Sequence, residues 1–264
     1  MDSVEEASRT FDPNQFMEFA KDPENFPPNK LPMWNHPKEE NGWMHAHNSI
    51  RAEIECMKGC LENVKGRDLV AWEKECIKSW WAEHEKHVHD HHSNEDTRFV
   101  PLLSQRFIWP EKMEADHEAL IAKLGEITEI VNSFNAENTV SADVLYEQWV
   151  AYQEMMLPHL EEEESTVLPM TMQYFEPEII GKLVEKILSE APDVVIGSFI
   201  HCMTAEKFRN SFMVQEGIPF FVWYLKFSAQ YEWYLENMVA LTDALMNGEP
   251  PKTSEPACAM CSIA

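Results

Sequence analysis

The chain has 264 residues, a formal net charge of −25 and a hydrophobic content of 44%. A negative charge of this size disfavours nucleic acid and anionic membrane surfaces as partners. The apolar fraction and the nine Trp residues suffice for a large core, and the scarcity of Gly and of β-branched runs favours an all-α fold.

The sequence shows neither a signal-peptide pattern nor a membrane-spanning segment. No N-terminal stretch resembles a signal peptide, and the longest apolar run, Ile218–Leu225, is too short to cross a bilayer. The six Cys residues form no zinc-finger array. We therefore expect a cytoplasmic protein with free thiols.

Residues 1–42 predict an N-terminal arm. Phe11, Phe16 and Phe19 are spaced as on one short helix, and the Pro-rich segment 26–40 predicts either an extended arm that wraps the core or a linker.

Residues 43–170 predict an antiparallel four-helix bundle. Apolar residues recur at helical spacing in four segments, and each segment places a His on its inward face. Helix one runs from near Trp43 to near Gly66, and helix two from about Asp68 to Phe99. Helix three follows Pro110, and helix four, capped by Ser141, continues to Met170.

A short pattern occurs twice, in helices two and four. Residues 91–101 read HHSNEDTRFVP and residues 159–169 read HLEEEESTVLP. Each copy has a His, an acid pair that begins four residues later, and a Pro six residues beyond the first acid. The Pro predicts a kink or a helix end just beyond the pattern.

The inward polar residues predict a two-metal site. Buried His and Glu can satisfy each other without metal, but four imidazoles and two carboxylates in one bundle layer favour metal binding. Such ligands suit iron, manganese or zinc, and two carboxylates can bridge two metals with about two imidazoles on each. The six candidate ligands are His47, His91, Glu95, His117, His159 and Glu163.

These motifs resemble those of the hemerythrin/HHE cation-binding family over residues 43–170. The matching pieces are HNSIRAEI from His47, HHSNEDTRFVP, DHEAL around His117 and HLEEEESTVLP. The first and last are similar to the hemerythrin domains of plant iron-responsive ubiquitin ligases. The resemblance implies that the same six residues hold two iron ions, which can be oxo-bridged, and that dioxygen or another small ligand binds there.

One position departs from the family's oxygen carriers, which have another His four residues after the helix-three His. Here that residue is Ile121. An apolar residue cannot ligate, so we expect one metal to be more open and reversible oxygen carriage to be disfavoured, unless Glu118 or water fills the gap. His45, His87, His89 and His92 lie outside the inward-facing positions. They predict a solvated face, with surface binding of stray metal by the His-rich segment as the alternative. His84 shares the face of His91 but lies two turns before it, too far from the metals.

The rest of the chain predicts a helical extension and a tail. Residues 171–245 predict helices that pack against the bundle, with a protein-docking surface as the alternative. Residues 246–264 predict a disordered tail. Its end, Cys261-Ser-Ile-Ala, matches a prenylation box, and Cys258 could add a second lipid, so membrane anchoring depends on that modification.

Three functions are compatible with these features. The first is a di-iron protein that senses, stores or handles iron and dioxygen. The second is a di-iron oxidoreductase, which the absence of nucleotide, flavin or second redox motifs disfavours. The third is an interaction module with a structural metal.

Overall fold

The computed structural model describes residues 17–28, 34–135 and 138–251, and in these residues it is helical without any strand. Four long helices form the bundle, and a one-turn helix, α3, follows the second of them. Their bounds are α1 Gly42–Val64, α2 Ala71–Asn94, α3 Val100–Leu103, α4 Glu111–Asn132 and α5 Ala142–Tyr174. The all-α helical bundle predicted from the sequence is confirmed.

Neighbouring bundle helices run antiparallel. On α1 and α5, the early residue His47 contacts the late residue Glu164, while the later Ile54 accepts a hydrogen bond from Trp149. The pairs between α2 and α4 run the same way, because Trp81 donates to Thr128 whereas the later Asp96 contacts the earlier His117. The bundle therefore brings the first turns of α1 and the second half of α5 together with the end of α2 and the first turns of α4.

The helix ends follow local sequence signals. The side chain of Asn41 accepts from the Trp43 N–H at 2.9 Å, and the predicted cap Ser141 accepts from the Asp143 N–H at 3.2 Å. α4 begins directly after Pro110, as predicted. Pro169 does not end α5, which continues to Tyr174.

Part of the bundle core is aromatic. Trp80, Trp149 and Tyr152 are each at least 98% buried, and they pack with aliphatic residues from all four helices. Burial on this scale is the main stabilising term of a bundle. It holds the backbone of each helix at a fixed rotation, which fixes the direction of the polar residues one or two turns away.

Further helices follow α5 in the chain. They are α6 Pro177–Glu190, α7 Asp193–Met203, α8 Ala205–Lys207, α9 Met213–Gln215, α10 Ser228–Tyr234 and α11 Ala240–Asn247. α7 and α11 contact α1 and α2, and α10 packs closely on α7. Gly197 makes that last approach feasible, because a Cβ there would lie 2.3 Å from the Cβ of Tyr234.

The apolar segment that begins at Ile218 is only partly covered. Trp223 and Phe227 are buried, but Phe220, Tyr224 and Leu225 are 69–78% exposed. The buried side of the segment packs mainly with residues of the outer helices, such as Phe199, and Ala46 is the one α1 residue of that cluster.

The described parts of the N-terminal arm run along the bundle. The Ile108 N–H donates to the Phe19 carbonyl at 2.7 Å, and the Trp34 indole N–H donates to the Phe175 carbonyl at 3.2 Å. Short 3₁₀ turns occur at Met17–Phe19 and Lys38–Glu40. The helix expected to include Phe11 and Phe16, and the tail with Cys258 and Cys261, lie outside the described residues. Among the described helices, none is both long enough and apolar enough to cross a membrane.

Candidate metal centre

The structure brings all six predicted ligands into one layer of the bundle. α1 contributes His47, and α2 contributes His91 just before a π-helical turn, Glu95–Phe99, that begins with Glu95. α4 contributes His117, and α5 contributes His159 and Glu163. A π-helical turn inserts an extra residue into a helix and is frequent at functional sites.

His92 is a seventh member of the cluster, and the expectation of a solvated side chain was wrong. It is 1% exposed, and its ring centroid lies 4.5 Å from that of His117 and 5.5 Å from that of His159. Residues three and four positions before Glu95 lie on the same side of α2 as Glu95. His92 and His91 therefore reach either side of its carboxylate.

Ile121 does not lie at the site, contrary to expectation. Its side chain is 42% exposed, whereas Leu120 takes the inward position after His117. Glu118 is also exposed, so it does not fill a gap in the cluster. The expectation that residue 121 leaves a gap in the cluster is therefore wrong, and a fifth imidazole, that of His92, lies within the cluster.

The seven side chains form two groups that could each hold one ion. One group is His47, His91, Glu95 and Glu163, and the other is His92, Glu95, His117 and His159. Within each group the candidate ligand atoms lie within 4.8 Å of one another. Glu95 belongs to both groups and can therefore bridge them.

The carboxylate oxygens of both Glu residues are divided between the two groups. Glu95 Oε1 is 3.4 Å from His91 Nε2, whereas its Oε2 is 3.5 Å from His117 Nε2. Glu163 Oε2 is 3.4 Å from His47 Nε2, whereas its Oε1 is 3.6 Å from His159 Nε2. Atoms that bind one ion at about 2.1 Å are roughly 3.0–4.2 Å apart, so these spacings suit shared coordination.

The atoms that point into the cluster have no hydrogen-bond partner. Eleven buried nitrogen and oxygen atoms of the seven side chains are unpaired, including both oxygens of Glu95 and of Glu163. Each unpaired buried polar group costs about 1–3 kcal/mol. A pair of cations could satisfy nine of these atoms, namely one nitrogen of each of the five imidazoles and the four carboxylate oxygens, so the residues fit a metal centre.

Two imidazoles are oriented by carboxylates behind them. His47 Nδ1 lies 2.9 Å from Glu164 Oε1, and Arg51 donates to the same oxygen at 2.6 Å. His117 Nδ1 lies 2.8 Å from Asp96 Oδ1. A carboxylate behind the ring places the proton on Nδ1 and leaves Nε2 free to bind a cation.

The buried carboxylates of the cluster raise the pKa values of neighbouring groups, so the cluster favours added positive charge. Burial and the neighbouring Glu163 raise the pKa of Glu95 to about 8. Burial opposes protonation of His47, but the carboxylates of Glu163, Glu164 and Glu95 outweigh it and raise its pKa to about 10. Without cations, protons therefore compensate the clustered carboxylates, and metal binding would displace them.

His84 and His87 of α2 belong to a separate buried network one to two turns away. Glu53 Oε2 lies 2.6 Å from His84 Nδ1 and 3.1 Å from His87 Nδ1. Glu53 Oε1 accepts from the hydroxyl of Tyr234 on α10 at 3.1 Å, so the network joins the bundle to the outer helices. His87 was expected on a solvated face, but it is 2% exposed. His45 is buried as well, and His89 alone of the four is exposed.

Glu53→Ala is expected to lower the free energy of unfolding by about 3–5 kcal/mol, because it leaves two imidazoles and a tyrosine hydroxyl buried without their shared partner. Denaturant unfolding of the metal-free protein measures this. The matched control is Glu55→Ala, on the same helix but exposed, which should change the free energy by less than about 0.5 kcal/mol. Equal effects of the two variants would contradict a stabilising role for the network.

An all-α bundle with a buried His and Glu cluster defines a metal-binding helical bundle. A model of the hemerythrin HHE cation binding domain matches residues 40–171, which is 132 of the 264 residues. The chain belongs to this family of cation-binding proteins. No curated protein and no solved structure matches it.

Proposed function

We propose that the chain is a non-haem di-iron protein that uses the seven-residue cluster for iron and dioxygen sensing, storage or handling. The observation that carries the proposal is the cluster of eleven unpaired, buried polar atoms, which includes one nitrogen from each of five imidazoles and the four oxygens of two shared carboxylates. Such an arrangement is costly in itself and becomes favourable when two cations occupy it.

The ligand set favours iron or manganese over zinc. His92, His117 and His159, with one oxygen from each shared carboxylate, offer five ligand atoms to one ion. Zinc sites are usually four-coordinate, whereas iron accepts five or six ligands. His47 and His91, with the other two oxygens, offer four atoms, so the second ion keeps more positions for a small ligand. A pair of iron ions with an open coordination position could bind dioxygen or donate electrons to it.

The five-imidazole count supports dioxygen binding. The oxygen-carrying relatives have an additional imidazole on helix three, and His92 on α2 takes the corresponding role in the proposed site. Motifs around His47 and His159 that resemble those of plant iron-responsive ubiquitin ligases support a link to iron status. The four cysteines in the described residues are free, which suits a reducing compartment such as the cytoplasm.

The test is metal analysis combined with visible spectroscopy of the full chain. We expect two irons per chain, and a visible band that appears when the diferrous protein is mixed with oxygenated buffer. A band that disappears on degassing would assign a carrier or sensor, and one that persists would assign storage or one-way oxidation.

Two other results would contradict the proposal. Bleaching only after an organic substrate is added would support an oxidoreductase. Zinc as the bound metal, with no response to air, would support an interaction module with a structural metal.

A further inference from the structure

An apolar cavity of about 100 Å³ lies between the bundle and the outer helices. Ala46 and Phe99 contribute the bundle side of its wall, and Val184, Leu188 and Phe199 of α6 and α7 contribute the opposite side. The outer helices lie beyond residues 40–171, so the cavity exists only because the chain continues past the family domain.

One end of the cavity is the metal cluster. His91 and Glu95 line it, whereas His92, His117 and His159 do not. The His91 side chain is 11% exposed, while the other six cluster residues are at most 3% exposed. The cavity therefore reaches the centre on its two-imidazole side, where the second ion keeps more free positions.

The size and lining of the cavity define the class of molecule that fits. A volume of about 100 Å³ is several times what one water needs. The polar residues Ser49, His87, Asp90 and Asn94 also line the cavity, but most of the surface that faces it is apolar and offers water few hydrogen bonds. Engineered apolar cavities of about 150 Å³ in other proteins stay dry and bind xenon or benzene. A neutral apolar molecule no larger than benzene is the matching guest.

We propose that this cavity binds a small, neutral, apolar molecule against the His91 and Glu95 edge of the metal centre. The α6 and α7 side chains determine which molecules fit, so the outer helices act as the specificity element of the centre. The position of the guest relative to the metals rests on the proposed di-iron function, but the existence of the binding site does not.

Xenon is the probe, with the full chain loaded with zinc so that no redox reaction occurs. A ¹²⁹Xe chemical-shift titration should show one saturable site. Val184→Phe fills the cavity and should weaken xenon binding at least tenfold, whereas Val184→Ala enlarges it and should preserve or strengthen binding. The matched control is Leu183→Phe on the same helix, which places the same ring outside the cavity and should change the affinity by less than twofold.

Cobalt in place of zinc locates the guest. Paramagnetic Co²⁺ should accelerate ¹²⁹Xe relaxation in the wild type and not in Val184→Phe. No saturable site, or equal binding by wild type and Val184→Phe, would overturn the cavity proposal even if two metals are bound. If the chain binds xenon saturably but does not hold two metals, the cavity proposal stands and the di-iron function is overturned. If Co²⁺ does not affect the relaxation of bound xenon, the proposed position of the guest beside the metal centre is refuted.

Discussion

Replacing Glu95 with alanine is expected to abolish binding of both metal ions, whereas replacing His92 with alanine is expected to remove only one. Glu95 directs one oxygen toward His91 and the other toward His117, so its loss affects both groups. His92 belongs only to the group with His117 and His159. Metal analysis of gel-filtered protein should therefore give about zero ions per chain for Glu95→Ala and about one for His92→Ala.

The matched control for these variants is Glu118→Ala. Glu118 adjoins His117 in the sequence but is exposed, and the variant should retain two ions. Ile121→His should likewise not restore the second ion in the His92→Ala background, because residue 121 faces solvent. Two ions in His92→Ala, or one tightly held ion in Glu95→Ala, would refute the bridged arrangement. Far-UV circular dichroism checks that each variant remains helical.

Helical spacing correctly predicted which residues meet, but only for the one residue in each helical turn that points most directly into the core. His47, His91, Glu95, His117, His159 and Glu163 converge because a bundle core turns one residue per turn directly inward. His92 was missed because a stripe of one residue per turn assigns its neighbour to another face. A side chain three residues before Glu95 is nevertheless as near to it as one four residues before. In α5 the corresponding residue is Leu160, which packs in the apolar core, so the sequence repeat alone did not identify the position.

Spacing alone also could not tell which residue after His117 faces the core. The residues three and four positions later, Leu120 and Ile121, are both apolar, and each fits a helical face. Packing against α2 and α5 selects Leu120 and leaves Ile121 at the surface. This choice depends on the rotation of α4 about its axis, which contacts with the other helices determine.

Polar contacts between residues that are far apart in the sequence could not be predicted from local sequence patterns. Arg51 and Glu53 belong to the motif around His47, yet among the described residues all their charged partners and the buried tyrosine hydroxyl are more than 30 residues away; only Asn48, which accepts from Arg51, is local. Arg51 pairs with Glu164, and Glu53 pairs with His84, His87 and Tyr234. A motif shows that these residues occur together, but only the tertiary structure shows that one supports a candidate ligand and the other joins the outer helices to the bundle.

Removal of the metals is expected to cause the largest loss of stability. Any ion that binds only the folded chain stabilises it, by about 4 kcal/mol at a free concentration one thousand times its Kd. Two independent ions at that concentration would contribute about twice as much. Without them, the eleven unpaired atoms remain buried at the centre of the bundle. The melting temperature should therefore fall steeply on chelation and recover when iron is added back under anaerobic conditions.

Hydrogen exchange should show where the stability is lost. Amides in α1, α2, α4 and α5 near the cluster should exchange faster in the metal-free protein, because all four helices contribute side chains to it. The interface of α7 with α10 should change least, since it depends on apolar packing and on the close contact of Gly197 with Tyr234. His92→Ala serves as an internal comparison, with a chelation effect about half that of the wild type. Identical exchange with and without metal would mean that the cluster is already satisfied by protons, and the metal would then have no part in holding the bundle together.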